Sequence, residues 1–275
     1  MANPGSRQSV FHQPHAVIGM IHVAALPGTP RASGPVGTIV QTAADEAGQL
    51  ADGGVDAVMI ENMHDVPYQM RDVGAEITAA MTAVGCAVRR AVNLPLGVQI
   101  LAGANRQSLA VAHACGADFI RVEGFVYAHV ADEGLMPDAD AGDLLRYRRA
   151  IGATGVAVWA DIKKKHSSHA ITADVDLAET AATAEFFGAD ALVVTGAATG
   201  QPTRPADLQR AKQAVDVPIV VGSGTTPENL ESLWPYADAF VVGSFIKRDG
   251  LWSNPPDPAR LKRFMDRVTL LRGAG

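Results

Sequence analysis

Four segments of the chain read alike, and their repetition limits what it can fold into: V-D-A-V-M-I-E-N from Val55, A-D-F-I-R-V-E-G from Ala117, A-D-A-L-V-V-T-G from Ala189 and A-D-A-F-V-V-G-S from Ala237. Each is an aspartate, a short β-rich run and then polar residues. The aspartates Asp56, Asp118, Asp190 and Asp238 stand 62, 72 and 48 residues apart, and each interval has room for two strand-helix units. Between them lie runs of a second kind: L-G-V-Q-I-L from Leu96, V-A-V-W-A-D from Val156 and P-I-V-V-G-S from Pro218. With A-V-I-G-M-I-H from Ala16 they make eight predicted strands.

The connectors carry helical periodicity. Ile77, Ala80, Met81, Val84, Ala87, Val88 and Ala91 recur at three- and four-residue spacing, as do Leu261, Phe264, Met265, Val268 and Leu271. Asp257-Pro258 reads as the cap and first residue of the last helix. Gly54, Gly116 and Gly188 fall where a helix ends in a left-handed residue. Strands alternating strictly with helices make a parallel sheet, and closure at eight gives an α/β fold, a single (β/α)8 TIM barrel. An open doubly wound sheet is the competing architecture. Residues 1–15 are expected to form a flexible tail, and residues 16–275 the barrel domain.

A chain of 275 residues, 48% hydrophobic, suits one barrel of this kind. Its formal charge of −6 argues against a nucleic-acid groove, and the only short basic run is Lys163 to Lys165. Cys86 and Cys115 sit in apolar helical patterns, as reduced thiols do. No signal peptide or membrane span is readable, so a cytoplasmic protein is expected.

In such a barrel every strand's C-terminal end opens onto one face, where the site is built. The polar residues collect there: His22 after strand one; Glu61, Asn62, His64 and Asp65 after strand two; Arg121 and Glu123 after strand four; Asp161, Lys165 and His166 after strand five; Thr195 and Thr199 after strand six. The last two strands end in glycine and serine. Gly222, Ser223, Gly224, Gly243 and Ser244 are candidate phosphate ligands, with Lys247 as counter-charge. Glu61, Asp65, Asp161, Lys165, His166 and His22 are the candidates for acid-base or electrostatic work. Asn62, Arg121, Glu123, Thr195 and Thr199 are candidates for holding the substrate. No cofactor is marked by a strong motif. A divalent metal, if bound, would take Glu61, Asp65 and Asp161, although no metal-ligand spacing stands out. Lys163 or Lys165 as a Schiff-base amine competes with the plainer reading of a solvated lysine run.

Together these motifs resemble the BtpA family, also called SgcQ-like. Its pattern includes G-M-I-H-x-x-x-L-P-G (Gly19 to Gly28), E-N-x-x-D-x-P (Glu61 to Pro67), F-I-R-V (Phe119 to Val122), D-I-K-K-K-H (Asp161 to His166), V-T-G-x-x-T-G (Val194 to Gly200), G-S-G-x-T (Gly222 to Thr226) and V-G-S-x-x-K (Val242 to Lys247). The third loop departs from it, with Gly103-Ala104 where an Asn-Asp pair is expected, so a polar role there is either lost or passes to Asn105. The resemblance implies a phosphate-binding barrel, and one member type is linked by name to photosystem I biogenesis. The first functional expectation is an enzyme acting on a small phosphorylated metabolite, a sugar phosphate or nucleotide-derived compound, as isomerase, lyase or hydrolase. A non-catalytic assembly factor and a phosphate-sensing barrel are the alternatives. A homo-oligomer is expected, and the long segment from Phe125 to Leu145, with His129, Asp132 and Glu133, reads as a lid or a subunit contact.

Overall fold

Eight parallel strands close on themselves in the computed structural model, which describes residues 11–196 and 202–273. Strand β1 is Ala16–His22, β2 Ala57–Glu61, β3 Leu96–Gln99 and β4 Phe119–Val122; β7 is Ala157–Ile162, β9 Ala191–Val194, β10 Ile219–Val221 and β11 Ala239–Val242. Their order around the barrel is β1, β11, β10, β9, β7, β4, β3, β2, which is the closed TIM-barrel sheet expected. The connecting helices are α1 (Val36–Asp52), α2 (Ala75–Ala91), α3 (Asn105–Cys115), α4 (Ala141–Ala150), α5 (Leu177–Phe186), α6 (Pro205–Ala214), the single turn α7 (Leu230–Leu233) and α8 (Pro258–Gly273). Gly54, Gly116 and Gly188 take φ values of 86°, 70° and 90°, so the helix-to-strand turns close as expected.

Alternation along each strand sorts the apolar residues into two cores. Ile18, Met20, Met59, Phe119, Trp159, Val193, Val220 and Val241 point inward and fill the barrel, with the Phe119 and Trp159 rings stacked 3.8 Å apart. The larger cluster lies between the strands and the helices and includes Ile21, Leu50, Ile60, Met81, Val84, Leu192 and Phe264.

The repeated aspartates have a single structural explanation. Asp56, Asp118, Asp190 and Asp238 sit at the lower rim, where each clasps the start of the preceding strand in sequence. Their carboxylates accept from the N–H of Val17 (2.7 Å), Leu96 (2.8 Å), Val158 (2.9 Å) and Ile219 (2.8 Å). Their own N–H groups donate back to the carbonyls of those same four residues. A basic side chain completes each clasp: Arg89, Arg148 and Lys212, for Asp118, Asp190 and Asp238, come from the helix before the clasped strand, whereas Arg272, for Asp56, comes from α8. The barrel is thus four quarters built alike.

Two parts of the chain differ from the sequence reading. Part of the expected tail is packed: the Phe11 ring lies 5.3 Å from Trp159, and His15 stacks on Trp234 at 4.0 Å and bonds the Ala237 carbonyl at 2.9 Å. The segment from Phe125 to Leu145 contains strands β5 (His129–Ala131) and β6 (Gly134–Met136), which pair antiparallel and are joined by β8 (Ser167–Ser168) from the lysine loop. This small sheet stands above the barrel mouth, while Phe125 itself is buried in the outer core.

Candidate active site

The inward alternation that fills the barrel continues one step past its apolar layers, and there it turns polar. Above Met20 comes His22, above Met59 comes Glu61, above Phe119 comes Arg121 and above Trp159 comes Asp161. The register aligns His22 with Glu61 and Glu61 with Gln99 across the strands. These side chains form the floor of a bowl with two adjoining hollows. One, about 40 Å³, is walled by His22, Glu61, Arg121 and Lys165 together with Gly222, Ser223, Gly224, Gly243 and Ser244. The other, about 230 Å³, shares Glu61, Met63, Arg121 and Lys165 with the first and extends beneath the small sheet to Gln99, Glu123 and Glu133.

The glycines of the first hollow are set by contact with the floor. A Cβ on Gly222 would lie 2.4 Å from Val193 and 3.1 Å from the Arg121 guanidinium, and one on Gly243 would lie 3.0 Å from the His22 ring. Both loops therefore approach the floor as only glycine can. The Ser223 and Thr225 hydroxyls are buried and have no hydrogen-bond partner among the described residues, a state that native proteins keep for water or a ligand. Lys247 does not serve here as sequence position suggests. The Ser244–Ile246 turn carries it away, and its buried ammonium lies 2.6 Å from Glu46 of α1. The expected counter-charge is thus an internal ion pair, and Arg121 and Lys165 are the cations that line the hollow.

Burial sets the protonation of the floor. His22 Nδ1 donates to the Trp252 carbonyl at 2.8 Å, which leaves the lone pair on Nε2, 3.8 Å from Glu61. Burial, helped by Lys247, pulls that ring down to about 3, so it is neutral at physiological pH. Glu61 is pushed up by burial, against the pull of Arg121 and Lys165, and so holds its proton to higher pH than an ordinary carboxyl. Lys165 is pulled down by burial and by Arg121, against Glu61 and Asp161. Arg121 grips Asp161 with two parallel bonds of 3.0 Å, Nε to Oδ1 and Nη2 to Oδ2. Burial raises the Asp161 carboxyl while that guanidinium opposes it.

Other predicted residues hold the site's frame. Asp65 accepts from the Leu26 N–H and from Asn62 Nδ2, both at 2.8 Å, and Asn62 Oδ1 accepts from the Leu101 N–H at 2.7 Å. That pair ties the first, second and third loops together, so Asp65 is committed to backbone support and not to the bowl. Thr195 Oγ1 accepts from the Lys165 N–H at 3.1 Å, and Asn105 Nδ2 donates to the Glu123 carbonyl at 2.7 Å. Glu123 is paired with Lys164 at 3.1 Å, whereas Lys163 donates to the Thr172 carbonyl. His166 stands at the exposed edge, 3.6 Å from Asp132. Thr199 lies outside the described residues. Glu61, Asp65 and Asp161 do not gather, and no group of three metal-ligating side chains occurs among the described residues.

Two contributors carried little sequence signal. Trp252 closes the first hollow from a segment beyond the last barrel strand, with its ring edge-on to His22 at 5.7 Å. Gln99 is the single polar residue of an apolar run, and only its position at the C-terminal end of β3 marks it. No helix among the described residues is long and apolar enough to cross a membrane.

Comparison with known proteins agrees with this architecture. The chain is 44% identical over 261 residues to an uncharacterised mitochondrial protein of Caenorhabditis elegans, covering 93% of this chain and 94% of that one. It is 34% identical over 257 residues to the photosystem I biogenesis protein BtpA of Synechocystis, covering 93% and 88%. Among solved structures, (S)-3-O-geranylgeranylglyceryl phosphate synthase from Thermoplasma acidophilum, in complex with its substrate sn-glycerol-1-phosphate, superposes with a TM-score of 0.61 at 17% identity over 98% of both chains. That likeness bears on the fold. Since the BtpA family model matches residues 13–270, from the segment packed beneath the barrel to its last helix, this chain belongs to the BtpA family.

Proposed function

We propose that the protein is an enzyme acting on a small phosphorylated metabolite, a sugar phosphate or nucleotide-derived compound, at the upper rim of the barrel. The observation that carries this reading is one hollow in which the buried, unpartnered Ser223 hydroxyl and two glycine-serine loops face a buried carboxyl and two cations, the Gly222 N–H itself being bonded to the Val194 carbonyl. Gly222 to Thr225 and Gly243-Ser244 hold the phosphate, with Arg121 and Lys165 within the same walls to balance its charge. The substrate's reacting end then lies over Glu61, whose buried carboxyl holds its proton more firmly than an ordinary one, as a group that gives and takes a proton requires. Lys165 and Arg121 stabilise the negative charge that develops. Isomerases, lyases and hydrolases share that step. Phosphorylated substrate in the Thermoplasma synthase, on the same fold, supports the analogy.

Inorganic phosphate or sulfate should raise the melting temperature of the purified protein, because a ligand bound only by the folded state stabilises it. Ser223→Glu, which puts a carboxylate where the anion sits, should abolish the rise. No response in the unmodified protein overturns the anion site. The name of the Synechocystis relative favours a second reading, a non-catalytic assembly factor. Under that reading, Glu61→Gln and Asp161→Asn leave the cellular function intact.

A further inference from the structure

The larger hollow lies across the barrel from the glycine-serine loops, against β3 and β4, and the proposed phosphate site leaves it without a role. Its polar groups are unevenly matched. On the cationic side, Arg121 is bonded twice to Asp161 and Lys164 is paired with Glu123. On the acceptor side, Gln99 Oε1 and Glu133 Oε2 are shut off from solvent with no donor among the described residues. Gln99 is 2% exposed, and it rises inward beside Glu61. A buried acceptor without a donor costs free energy unless something supplies the hydrogen. The missing partners are therefore donors. The same walls carry Glu61, Glu123, Asp132 and Glu133 as well as Arg121, Lys164 and Lys165, so acidic and basic groups offset one another and neutral hydroxyls suit the unmatched acceptors. At about 230 Å³ the hollow takes roughly seven water-sized groups, the scale of a short hydroxylated chain.

We propose that this hollow is a subsite for the end of the substrate remote from the phosphate, that Gln99 and Glu133 read hydroxyl groups there, and that the substrate is a polyhydroxylated phosphate ester of sugar or polyol type. The proposal rests on the phosphate reading above and narrows its substrate class.

Calorimetric titration of the full chain with inorganic phosphate, ribitol 5-phosphate and pentyl phosphate tests it. Ribitol 5-phosphate should bind about tenfold tighter than pentyl phosphate, the effect of one or two satisfied buried acceptors. Gln99→Met, which keeps the side-chain length and removes the acceptor, should cut that preference to about threefold or less and leave inorganic phosphate affinity unchanged. Glu133→Ala, at a half-exposed position, gives the same readout should the core substitution disturb folding. Equal or tighter binding of pentyl phosphate overturns the subsite while the phosphate reading stands, as does a preference that survives both substitutions. Failure of all three ligands to bind overturns the phosphate reading and the subsite with it.

Discussion

At the lower rim each of four aspartates meets a strand N–H and a basic side chain, so all four carboxylates are engaged, and of the clasp groups only Arg89 Nε is buried without a partner among the described residues. At the upper rim Gln99, Ser223 and Thr225 are buried, more deeply than the half-buried Asp56, Asp118 and Asp238, yet each has an oxygen with no partner among the described residues. Depth of burial alone does not say which end is built to bind. Completeness does. A closed network rigidifies the barrel, and an open one is poised for what it binds. The upper rim also has ion pairs of its own, Arg121 with Asp161 and Lys164 with Glu123, which hold the bowl's shape around the open groups.

The largest effect should come from unmaking a clasp. Asp190→Ala leaves the buried Val158 N–H and Arg148 without their shared acceptor and should cost about 3 kcal/mol in urea unfolding. Phosphate affinity should stay unchanged, and a large loss would blur the distinction between the rims.

At the upper rim the expected signatures are pH dependences. The folded His22 ring titrates near 3 against an ordinary 6.5, so the unfolded chain takes up its proton first. Stability is therefore full above 6.5 and falls as pH drops toward 3, and His22→Asn should flatten that fall by on the order of 2 kcal/mol. Melting curves between neutral and acid pH check it. Glu61 runs the other way. Its folded carboxyl is raised above the ordinary 4.5, so its contribution is present below that value and lost as pH rises through the folded one. Glu61→Gln should gain on the unmodified protein as pH rises through the folded carboxyl's titration. A constant difference across pH would show Glu61 titrating as in water. Outside both rims, Lys262→Ala breaks an exposed pair with Asp266 and should move stability by less than about 0.5 kcal/mol, the baseline for the others.

Much of this was legible in the chain itself. Apolar runs that end in a charge, as at Glu61 and Asp161, point to a barrel's upper rim because a parallel barrel opens all its strand ends to one side. The aspartate repeat was equally plain as a spacing. Its cause was not, since the partners Arg272 and Arg89 lie 216 and 29 residues from Asp56 and Asp118. Side-chain direction after a strand was also hidden: Lys247 follows a glycine-serine end, but one tight turn delivers it to Glu46. Asp65 looked like a catalytic carboxylate and is a loop tie, because only three dimensions bring Leu26 to it. The small sheet escaped notice because Ser167-Ser168 has no β signal and pairs only because β5 lies beside it.

The clasp at Asp56 has a consequence of its own for how the molecule assembles. Three quarters draw their basic residue from a helix made just before the strand it secures, so they can lock while synthesis continues. The first must wait for Arg272, made 216 residues after Asp56. The seam joining β1 and β2 to α8 is therefore sealed after the other three clasps on the nascent chain, and losing that helix would unfasten strands made long before it.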